Sequence, residues 1–396
     1  MSAGLPDPAS SIFSGKAATC CGFFIGGCFY QTLVLNLCRS ITQPSSPAMK
    51  TRLTELLGIE HPIVCPGMSW IAVPELVAAV SEAGGLGILA TGPLSPEQTR
   101  SAIRRIRELT NKPFGIGCTL MMPGAKENAE VALAEQVPVI NFSLGKGDWI
   151  VTRAHAYGGK VIATVVTEKH AQAAERIGCD ALLVTGHEAA AHGGEVTSLV
   201  LVPAIARLVQ IPIIATGGFG NGGGLLAALA LGAEGVAMGT RFAMTQESPL
   251  HANTKTAITG KQVADTLYST RFDGIPCRVM KTPRTDALQK KPMGLLKALF
   301  TALSVAKSMQ VPIPKLLLGT LLKGPATMLQ IAYFGAATPR FKLATEQGNL
   351  EQGVQMIGQI QGLIDDVPTV AALMERIVEE TEMACQRVEA CVRPVN

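Results

Sequence analysis

The sequence predicts an α/β fold: a (β/α)8 TIM barrel with a smaller, mostly helical cap domain. From Met49 onward, short apolar runs alternate with amphipathic segments. Successive apolar runs start roughly 20–30 residues apart, which is the length of a βα unit. Turns rich in small residues follow several of these runs, where a barrel places its functional groups. A doubly wound parallel sheet is the alternative.

The apolar runs are predicted to be eight strands. They are Pro62–Cys65, Gly85–Leu89, Phe114–Gly117, Val137–Phe142, Lys160–Val165, Ala181–Thr185, Ile211–Thr216 and Gly235–Met238. The predicted helices between them are Pro74–Ala83, Pro96–Thr110, Ala125–Ala134, Glu168–Ile177, Val200–Val209 and Leu225–Leu231. Pro74 and Pro96 suit a first helical turn, and Ser95 suits the N-cap before it.

Composition narrows the class of protein. Of 396 residues, 47% are hydrophobic and only 5% are aromatic, which suits buried parallel strands covered by helices. A net charge of +4 is too small to favour nucleic acid as a partner. The ten cysteines include no C-x-x-C pair, which indicates reduced thiols and a cytoplasmic protein.

Four segments are expected along the chain: a leader (1–48), a cofactor-binding barrel (49–246), a helical cap (247–368) and a C-terminal helix that packs on the barrel (369–396). The leader contains an apolar stretch, Ala17–Cys38, that is long enough to span a bilayer. It is either a spurious extension before a true start at Met49 or a membrane anchor. Membrane contact is expected only in the second case.

The cap contains a basic stretch from Arg278 to Lys323, in which Asp286 is the one acid. Three interpretations stay open: a solvated helix face, a docking surface for an acidic carrier protein, or a membrane-binding surface.

His192 is the candidate catalytic base. It lies in Gly186–Glu195, among residues too small to cover an imidazole. Zinc is not expected, because His187 and His192 are five residues apart and would diverge by about 140° on a helix. His187 is the weaker catalytic candidate.

Other histidine and cysteine residues have simpler interpretations. His61 is expected to be structural. Cys65 and Cys118, at or just past strand ends, are expected to be small buried hydrophobes rather than nucleophiles.

Two further turns, Thr216–Gly220 and Met238–Phe242, follow predicted strands and are rich in small residues. Glycines leave backbone N–H groups open to an anion, and a βα turn aims them at a helix N-terminus. Gly218–Gly223 also matches G-x-G-x-x-G. In a dinucleotide-binding fold this motif follows the first strand, and an acidic residue at the end of the next strand binds the ribose hydroxyl. Here the motif occurs late in the chain, and the next predicted strand ends in Met238-Gly239 without an acid. A phosphate-binding loop of a barrel is therefore favoured. A phosphate-bearing cofactor is expected.

Six short motifs occur in order and together resemble the nitronate monooxygenase family, formerly called 2-nitropropane dioxygenases. They are Pro66–Trp70, Ala83–Gly87, Lys112–Gly115, Glu188–His192, Ala215–Gly218 and Met238–Phe242. That family also contains flavin-dependent enoyl-ACP reductases and NADH:quinone reductases. The likeness covers residues 50–246 and resumes at Gly358–Ile364.

The resemblance implies an FMN-containing TIM barrel in which His192 is the base for neutral nitroalkanes. It places the FMN phosphate on the loops after strands seven and eight and the isoalloxazine between two backbone segments. Three differences from the family put the substrate class in doubt: Ala189–Ala191 where glycines are common, Gly117 in place of an asparagine and Thr164 in place of a lysine. The implied cofactor-binding residues are Gly67, Met68, Ser69, Gly117, Thr164, Ala190, Ala191, Gly217, Gly218, Gly239 and Thr240.

Three functions follow as hypotheses. The first is an FMN-dependent nitronate monooxygenase that oxidises alkyl nitronates with O2. The second is an NAD(P)H-dependent enoyl-ACP or quinone reductase, which the basic cap favours slightly because carrier proteins are acidic. The third is a flavin- or phosphate-binding scaffold without turnover. A small-molecule substrate is expected in the first two cases, and the sequence leaves the oligomeric state open, a homodimer included.

Overall fold

Eight parallel strands form a closed barrel in the computed structural model, which describes residues 49–291 and 325–392 and a few positions between them. Strand order follows the chain, and β1 pairs with β8 to close the sheet. The strands are β1 Ile63–Cys65, β2 Leu86–Ala90, β3 Phe114–Thr119, β4 Val139–Ser143, β5 Lys160–Val165, β6 Ala181–Thr185, β7 Ile213–Thr216 and β8 Gly235–Ala237. The (β/α)8 barrel is therefore confirmed, and an open doubly wound sheet is excluded.

A helix follows each of the first seven strands. These helices are Pro74–Glu82, Pro96–Leu109, Ala125–Ala134, Asp148–His155, Glu168–Arg176, Ser198–Ala206 and Gly222–Ala230. Ser95 caps one of them as expected, since its side chain accepts from the Gln98 N–H and Pro96 occupies the first turn. The helix Asp148–His155 was not predicted, because its eight residues are too few for a clear apolar period.

The N-terminal end of the barrel is closed by a short helix, Arg52–Leu57. Leu53 and Leu57 are buried against side chains that point into the barrel. The inward-facing side chains include Val64, Ile88, Val139, Ile162, Leu183 and Ile214. Because this end is filled by apolar groups, the opposite end, at the carboxyl ends of the strands, remains for a functional site.

The chain after β8 contains a feature that the sequence did not predict. Only helices and loops were expected, but β9 (Thr266–Ser269) and β10 (Cys277–Met280) pair as an antiparallel ribbon. Each strand has four residues, which is too short for a visible alternation. Packing supplies the stability instead, since Phe272 and Val279 belong to one buried cluster with Phe341. In the described part of this segment the chain also forms helices Gly239–Ala243, Ala252–Thr259, Pro283–Lys290 and Pro325–Gln347 and the 3-10 helix Gln359–Leu363.

The last helix, Val370–Val392, packs on helices Gly222–Ala230 and Pro74–Glu82. Its backbone comes so close to Gly222 that a Cβ atom there would lie 2.3 Å from the Thr381 nitrogen, so only glycine fits. The Gly222 N–H also donates to the Glu380 carboxylate at 2.8 Å. These contacts brace the helix that follows β7.

A buried guanidinium connects the turn after β8 to the C-terminal segment. Arg241 is 3% exposed, and its Nη1 lies 2.8 Å from Asp366 Oδ1. Arg376 donates to the other Asp366 oxygen at 2.6 Å. The hydrogen bond from Arg376 and the charge of Arg241 hold the pKa of Asp366 below its usual value of 3.8.

This depressed pKa predicts a pH dependence for Asp366→Asn. Because the pKa of Asp366 is lower in the folded protein than in the unfolded chain, its ionised carboxylate stabilises the folded protein above pH 3.8. This stabilisation is lost as the pH falls through the folded-state pKa. The variant should therefore be less stable than the parent at neutral pH, and the difference should shrink below about pH 4. Urea unfolding at a series of pH values measures this. A difference that stays constant with pH would contradict the assignment.

No helix in the described part of the chain combines the length and the apolar character that crossing a bilayer requires. The apolar stretch Ala17–Cys38 and most of the basic stretch from Arg278 to Lys323 lie outside the described residues.

Candidate active site

A cavity of about 1400 Å³ opens at the carboxyl ends of the barrel strands. Single-ligand pockets commonly span roughly 300–1,000 Å³, so this volume holds more than one small ligand. Every residue predicted for the site lines it: Gly67, Met68, Ser69, Gly117, Thr164, Ala190, Ala191, His192, Gly217, Gly218, Gly239 and Thr240. The structure thus brings the predicted residues together; their roles stay predictions.

His192 lies on the loop after β6 and forms a pair with Asp273. The distance from His192 Nε2 to Asp273 Oδ2 is 2.8 Å. The imidazole is 18% exposed, whereas the carboxylate is fully buried. Asp273 comes from the loop between β9 and β10, so the barrel and the ribbon each supply one member of the pair.

The buried Asp273 carboxylate is well satisfied. Besides His192, its Oδ1 accepts from the Ile275 backbone N–H at 3.1 Å. The Cys277 sulfur lies within 4.8 Å of an Asp273 carboxylate oxygen, and burial raises the pKa of that thiol far above its usual range. A buried carboxylate is tolerated only when such donors surround it, so Asp273 is fixed in one orientation.

This pairing determines which nitrogen of His192 can act as a base. Because an ionised carboxylate can only accept, Nε2 carries the proton and Nδ1 keeps a lone pair. Nδ1 forms no hydrogen bond with any residue that the structure describes, and the ring lines the cavity. The Phe334 ring lies 5.8 Å away at 30° and helps to hold the imidazole. His192 is therefore poised to accept a proton from a bound molecule.

The sequence did not reveal Asp273, because it lies 81 residues after His192 in a segment expected to contain helices and loops. One signal was present: an isolated acid in the otherwise apolar run Phe272–Pro276. Such an acid rarely becomes buried without a partner.

The ribbon also fixes the backbone next to His192. Ala191 and Arg278 exchange two backbone hydrogen bonds, at 2.9 and 3.2 Å. The Arg278 guanidinium donates to the His187 carbonyl and lies 5.4 Å from the Tyr268 ring. Ala191 is thereby held at φ +56°, in the left-handed region that favours glycine.

The strained φ predicts an asymmetry between two neighbouring alanines. Ala191→Gly relieves a left-handed penalty of about 1–2 kcal/mol, so the free energy of unfolding should stay equal or rise slightly. Ala190→Gly has no such strain to relieve and should lose about 0.4–1 kcal/mol through unfolded-chain entropy. Urea unfolding of both variants tests this, and equal losses would contradict the strain.

The turns after β7 and β8 line the part of the cavity beside the loop after β6, since a Cβ atom at Gly217 would lie 3.2 Å from the Ala189 nitrogen. Gly217 and Gly218 have φ values of +106° and +82°, which glycine adopts without cost. The backbone N–H groups of Gly218 and Gly239 donate to no other described group. Open N–H groups on the turns after strands seven and eight suit a phosphate.

The glycines of the cavity wall fit a flat cofactor that approaches the backbone. A Cβ atom added at Gly67, Gly117 or Gly239 would lie at least 3.5 Å from every protein atom outside its own immediate chain neighbours, which is ordinary contact distance. Packing within the protein therefore does not require glycine at these three positions. Because all three line the cavity, glycine there leaves backbone exposed to a ligand. The residues present thus fit FMN.

The weaker candidates take structural positions. His187 Nδ1 lies 3.0 Å from the Gly194 carbonyl oxygen, and its ring packs edge-on to Tyr268. Burial raises the pKa of the Cys65 thiol far above its usual range and that of Cys118 to about 11, so neither is an activated nucleophile. His61 is partly buried, and burial lowers its pKa.

The ligand-type side chains that the structure brings to His192 are Asp273 and Cys277, not His187 and Glu188. Their donor atoms lie within 4.8 Å of one another. The contact between His192 and Asp273 is already used as a hydrogen bond, and the absence of a bound metal stays a prediction.

Comparison with known proteins decides the family, because a family model described as nitronate monooxygenase matches residues 50–380. The chain belongs to the nitronate monooxygenase family. It is therefore an oxidoreductase. The match covers the barrel, the ribbon and about half of the C-terminal helix.

Three relatives illustrate the range of this family. The (3aS,4S,5R,7aS)-5-hydroxy-7a-methyl-1-oxo-octahydro-1H-indene-4-carboxyl-CoA dehydrogenase of Rhodococcus jostii is 37% identical, over 86% of this chain and 98% of that protein. FabK from Thermotoga maritima is 36% identical with a TM-score of 0.73, over 87% of this chain and 100% of that one. A probable nitronate monooxygenase of Staphylococcus aureus is 32% identical, over 57% of this chain and 76% of that protein.

Proposed function

We propose that this protein is an FMN-dependent oxidoreductase that uses His192 to remove a proton next to the carbonyl of an acyl-CoA thioester. The observation that carries the proposal is the His192–Asp273 pair in a cavity with room for a cofactor and a second molecule. A carbonyl acidifies the neighbouring C–H bond, and a histidine base suits such a proton at neutral pH.

The cofactor would occupy the glycine-rich part of the cavity. Gly217, Gly218, Gly239 and Thr240 would hold the phosphate through open N–H groups, while Gly67 and Gly117 leave backbone for the ring. Thr240 Oγ1 also accepts from the Gly358 N–H at 3.1 Å, which fixes its side chain. When bound, FMN would supply the electron acceptor: the thioester loses a proton from the carbon next to its carbonyl and a hydride equivalent from the following carbon, and a C=C bond forms between them.

The protein's own groups handle the proton. Nδ1 of His192 takes it from the substrate carbon, and the positive charge that develops on the imidazole faces the buried Asp273 carboxylate. Asp273 stabilises that charge and keeps the ring in one tautomer, as carboxylate–histidine pairs do in other enzymes. Apolar side chains such as Met68 and Phe334 line the cavity and limit the access of water.

Two observations favour a bulky thioester over a small nitroalkane. The cavity is much larger than FMN and a nitroalkane would need, and Met121, Phe142 and Phe341 add apolar lining. The relative from Rhodococcus jostii, 98% of which is matched by this chain, acts, by its name, on a carboxyl-CoA ester of a bicyclic indene. Oxidation of alkyl nitronates with O2 is the second candidate, favoured by the family model and the relative from Staphylococcus aureus.

Anaerobic stopped-flow mixing of the flavin-loaded protein separates these functions. Bleaching of the flavin band by cyclohexanecarbonyl-CoA or a straight-chain acyl-CoA, but not by propyl-2-nitronate, is expected. Bleaching by the nitronate alone would support the monooxygenase. Bleaching by NAD(P)H alone would support a reductase, with an enoyl carrier-protein ester or a quinone as the oxidant. A protein that binds FMN but responds to none of these would be a scaffold. The cytoplasmic location and any homodimer stay predictions.

A further inference from the structure

A second concavity of about 300 Å³ lies beside the main cavity. Its lining comes from the segments that follow β3 and β4. The lining residues are Leu120, Met121, Lys126, Leu144, Gly145, Lys146 and Trp149. We call it the lysine groove.

The lysine groove is continuous with the main cavity, because Met121, Leu144, Gly145 and Lys146 line both. In the strand order of the barrel, β3 and β4 lie across from β7 and β8. The glycine turns proposed for the FMN phosphate and the lysine groove are therefore at opposite sides of the mouth. The groove is free for a part of the second molecule.

Lys126 and Lys146 are the charged residues among those that line the groove. Both are exposed, and neither forms an ion pair with a described residue. Glu127 and Asp148 stand in the first turns of the two neighbouring helices; neither lines the groove, although Asp148 lines the adjoining main cavity. The lining of the groove itself thus contains two ammonium groups and no carboxylate.

Trp149 supplies a flat apolar surface next to these charges. Its ring is half-buried, and Lys126 Nζ lies 6.0 Å from the ring centroid. Purine bases stack on such aromatic rings, and lysine ammonium groups bind phosphates as point charges. A cation beside an indole is the pattern for a ligand that carries both a base and phosphates.

We propose that the lysine groove binds the 3′-phosphorylated adenosine diphosphate end of coenzyme A. This inference rests on the proposed function, since the thioester end would then reach His192 through the shared part of the cavity. Lys126 and Lys146 contact the phosphates, and Trp149 stacks on the adenine. A simple acyl group carries no negative charge that two ammonium groups could bind. A nitroalkane has no part that reaches the groove.

Equilibrium binding of CoA itself to the flavin-loaded protein tests the groove without any turnover. Removing one phosphate contact should weaken CoA binding about tenfold, because hydrogen bonds to charged groups contribute about 1.5 kcal/mol or more. Lys126→Gln and Lys146→Gln should each show this loss, and the double variant should show more. Lys112→Gln is the matched control, since Lys112 is exposed, pairs with Glu60 and precedes β3 at the other end of the barrel.

The choice of ligand distinguishes CoA from other sources of phosphate. Dephospho-CoA should bind more weakly than CoA to the parent protein. Its affinity should also fall by a smaller factor than that of CoA when either lysine is replaced. NADPH that competes with CoA in the groove and loses affinity equally in both variants would overturn the proposal. So would CoA that binds equally well to parent and variants, or does not bind at all.

Where a thioester substrate is found, the same variants give a second measurement. KM for the CoA ester should rise about tenfold while kcat stays unchanged, and KM for the matching pantetheine ester should not move. Equal increases with both esters would contradict a groove specific for the nucleotide. Failure of all thioesters to react, with CoA binding still dependent on the lysines, would overturn the proposed function but not the groove.

Discussion

His192→Ala is expected to retain FMN and to lose about 10²–10⁴-fold in kcat with substrates that must be deprotonated. The reason is that the buried Asp273 carboxylate orients the imidazole, so that its unprotonated nitrogen, Nδ1, can accept the substrate proton. The flavin absorbance of the purified variant reports cofactor binding, and steady-state kinetics report the loss. An unchanged rate would remove His192 from the mechanism.

Asp273→Asn tests the other half of the pair. An amide can donate to Nε2, which would move the proton to Nδ1 and block the base, so kcat should again fall by at least 10². Because the two residues act as a unit, the double variant should be scarcely slower than the slower single variant. Losses that multiply would mean that Asp273 acts independently of His192.

A second pair in the same chain provides a matched control. His155 Nε2 lies 2.8 Å from Asp180 Oδ2, the same separation as in the active site, but the imidazole is 41% exposed and lies outside the cavity. His155→Ala should leave kcat unchanged. A comparable loss in this variant would show that removing any such pair damages the fold.

Gly239→Val is expected to abolish FMN binding while the apoprotein stays folded. A Cβ atom added at this position would lie 3.6 Å from Met68 Sδ and 3.8 Å from Pro66 Cγ, and Gly239 has no positive φ that requires glycine. The substitution would weaken FMN binding rather than folding, because the branched side chain would cover the N–H groups of the turn. Flavin released into the filtrate, together with an unchanged unfolding curve of the apoprotein, is the expected result.

Gly223→Ala is the control for this substitution. Gly223 is exposed on the helix after β7, and a Cβ there would lie 3.7 Å from the Asn221 side chain. Alanine favours the helix over glycine by up to about 1 kcal/mol, so this variant should bind FMN fully and unfold no earlier. If Gly239→Val also keeps its flavin, the phosphate is held elsewhere.

The sequence was sufficient to predict the barrel and the lining of its mouth. Strands buried on both faces appear as short apolar runs, and functional turns must follow their carboxyl ends, so Gly217, Gly239 and His192 could be placed from local pattern alone. The predicted ends of the strands differ from the observed ends by two residues at most, as in the predicted Ile211–Thr216 against the observed Ile213–Thr216.

The parts that local pattern did not reveal depend on contacts between distant segments. Asp273 acquires its role only when the β9–β10 ribbon packs beside the loop after β6, and the ribbon itself is held by Phe272 and Phe341 rather than by strand propensity. The left-handed φ of Ala191 likewise comes from its bonds to Arg278. None of these is encoded within a short window of residues.

The division of the base and its carboxylate between two remote stretches has a consequence for biosynthesis. A ribosome releases the loop that carries His192 long before it releases Asp273, 81 positions later. Until the ribbon docks, the imidazole has no anionic anchor and its ring can rotate, so a half-made polypeptide cannot yet abstract protons efficiently. The ability of His192 to act as a base therefore develops only when the ribbon has packed against the barrel.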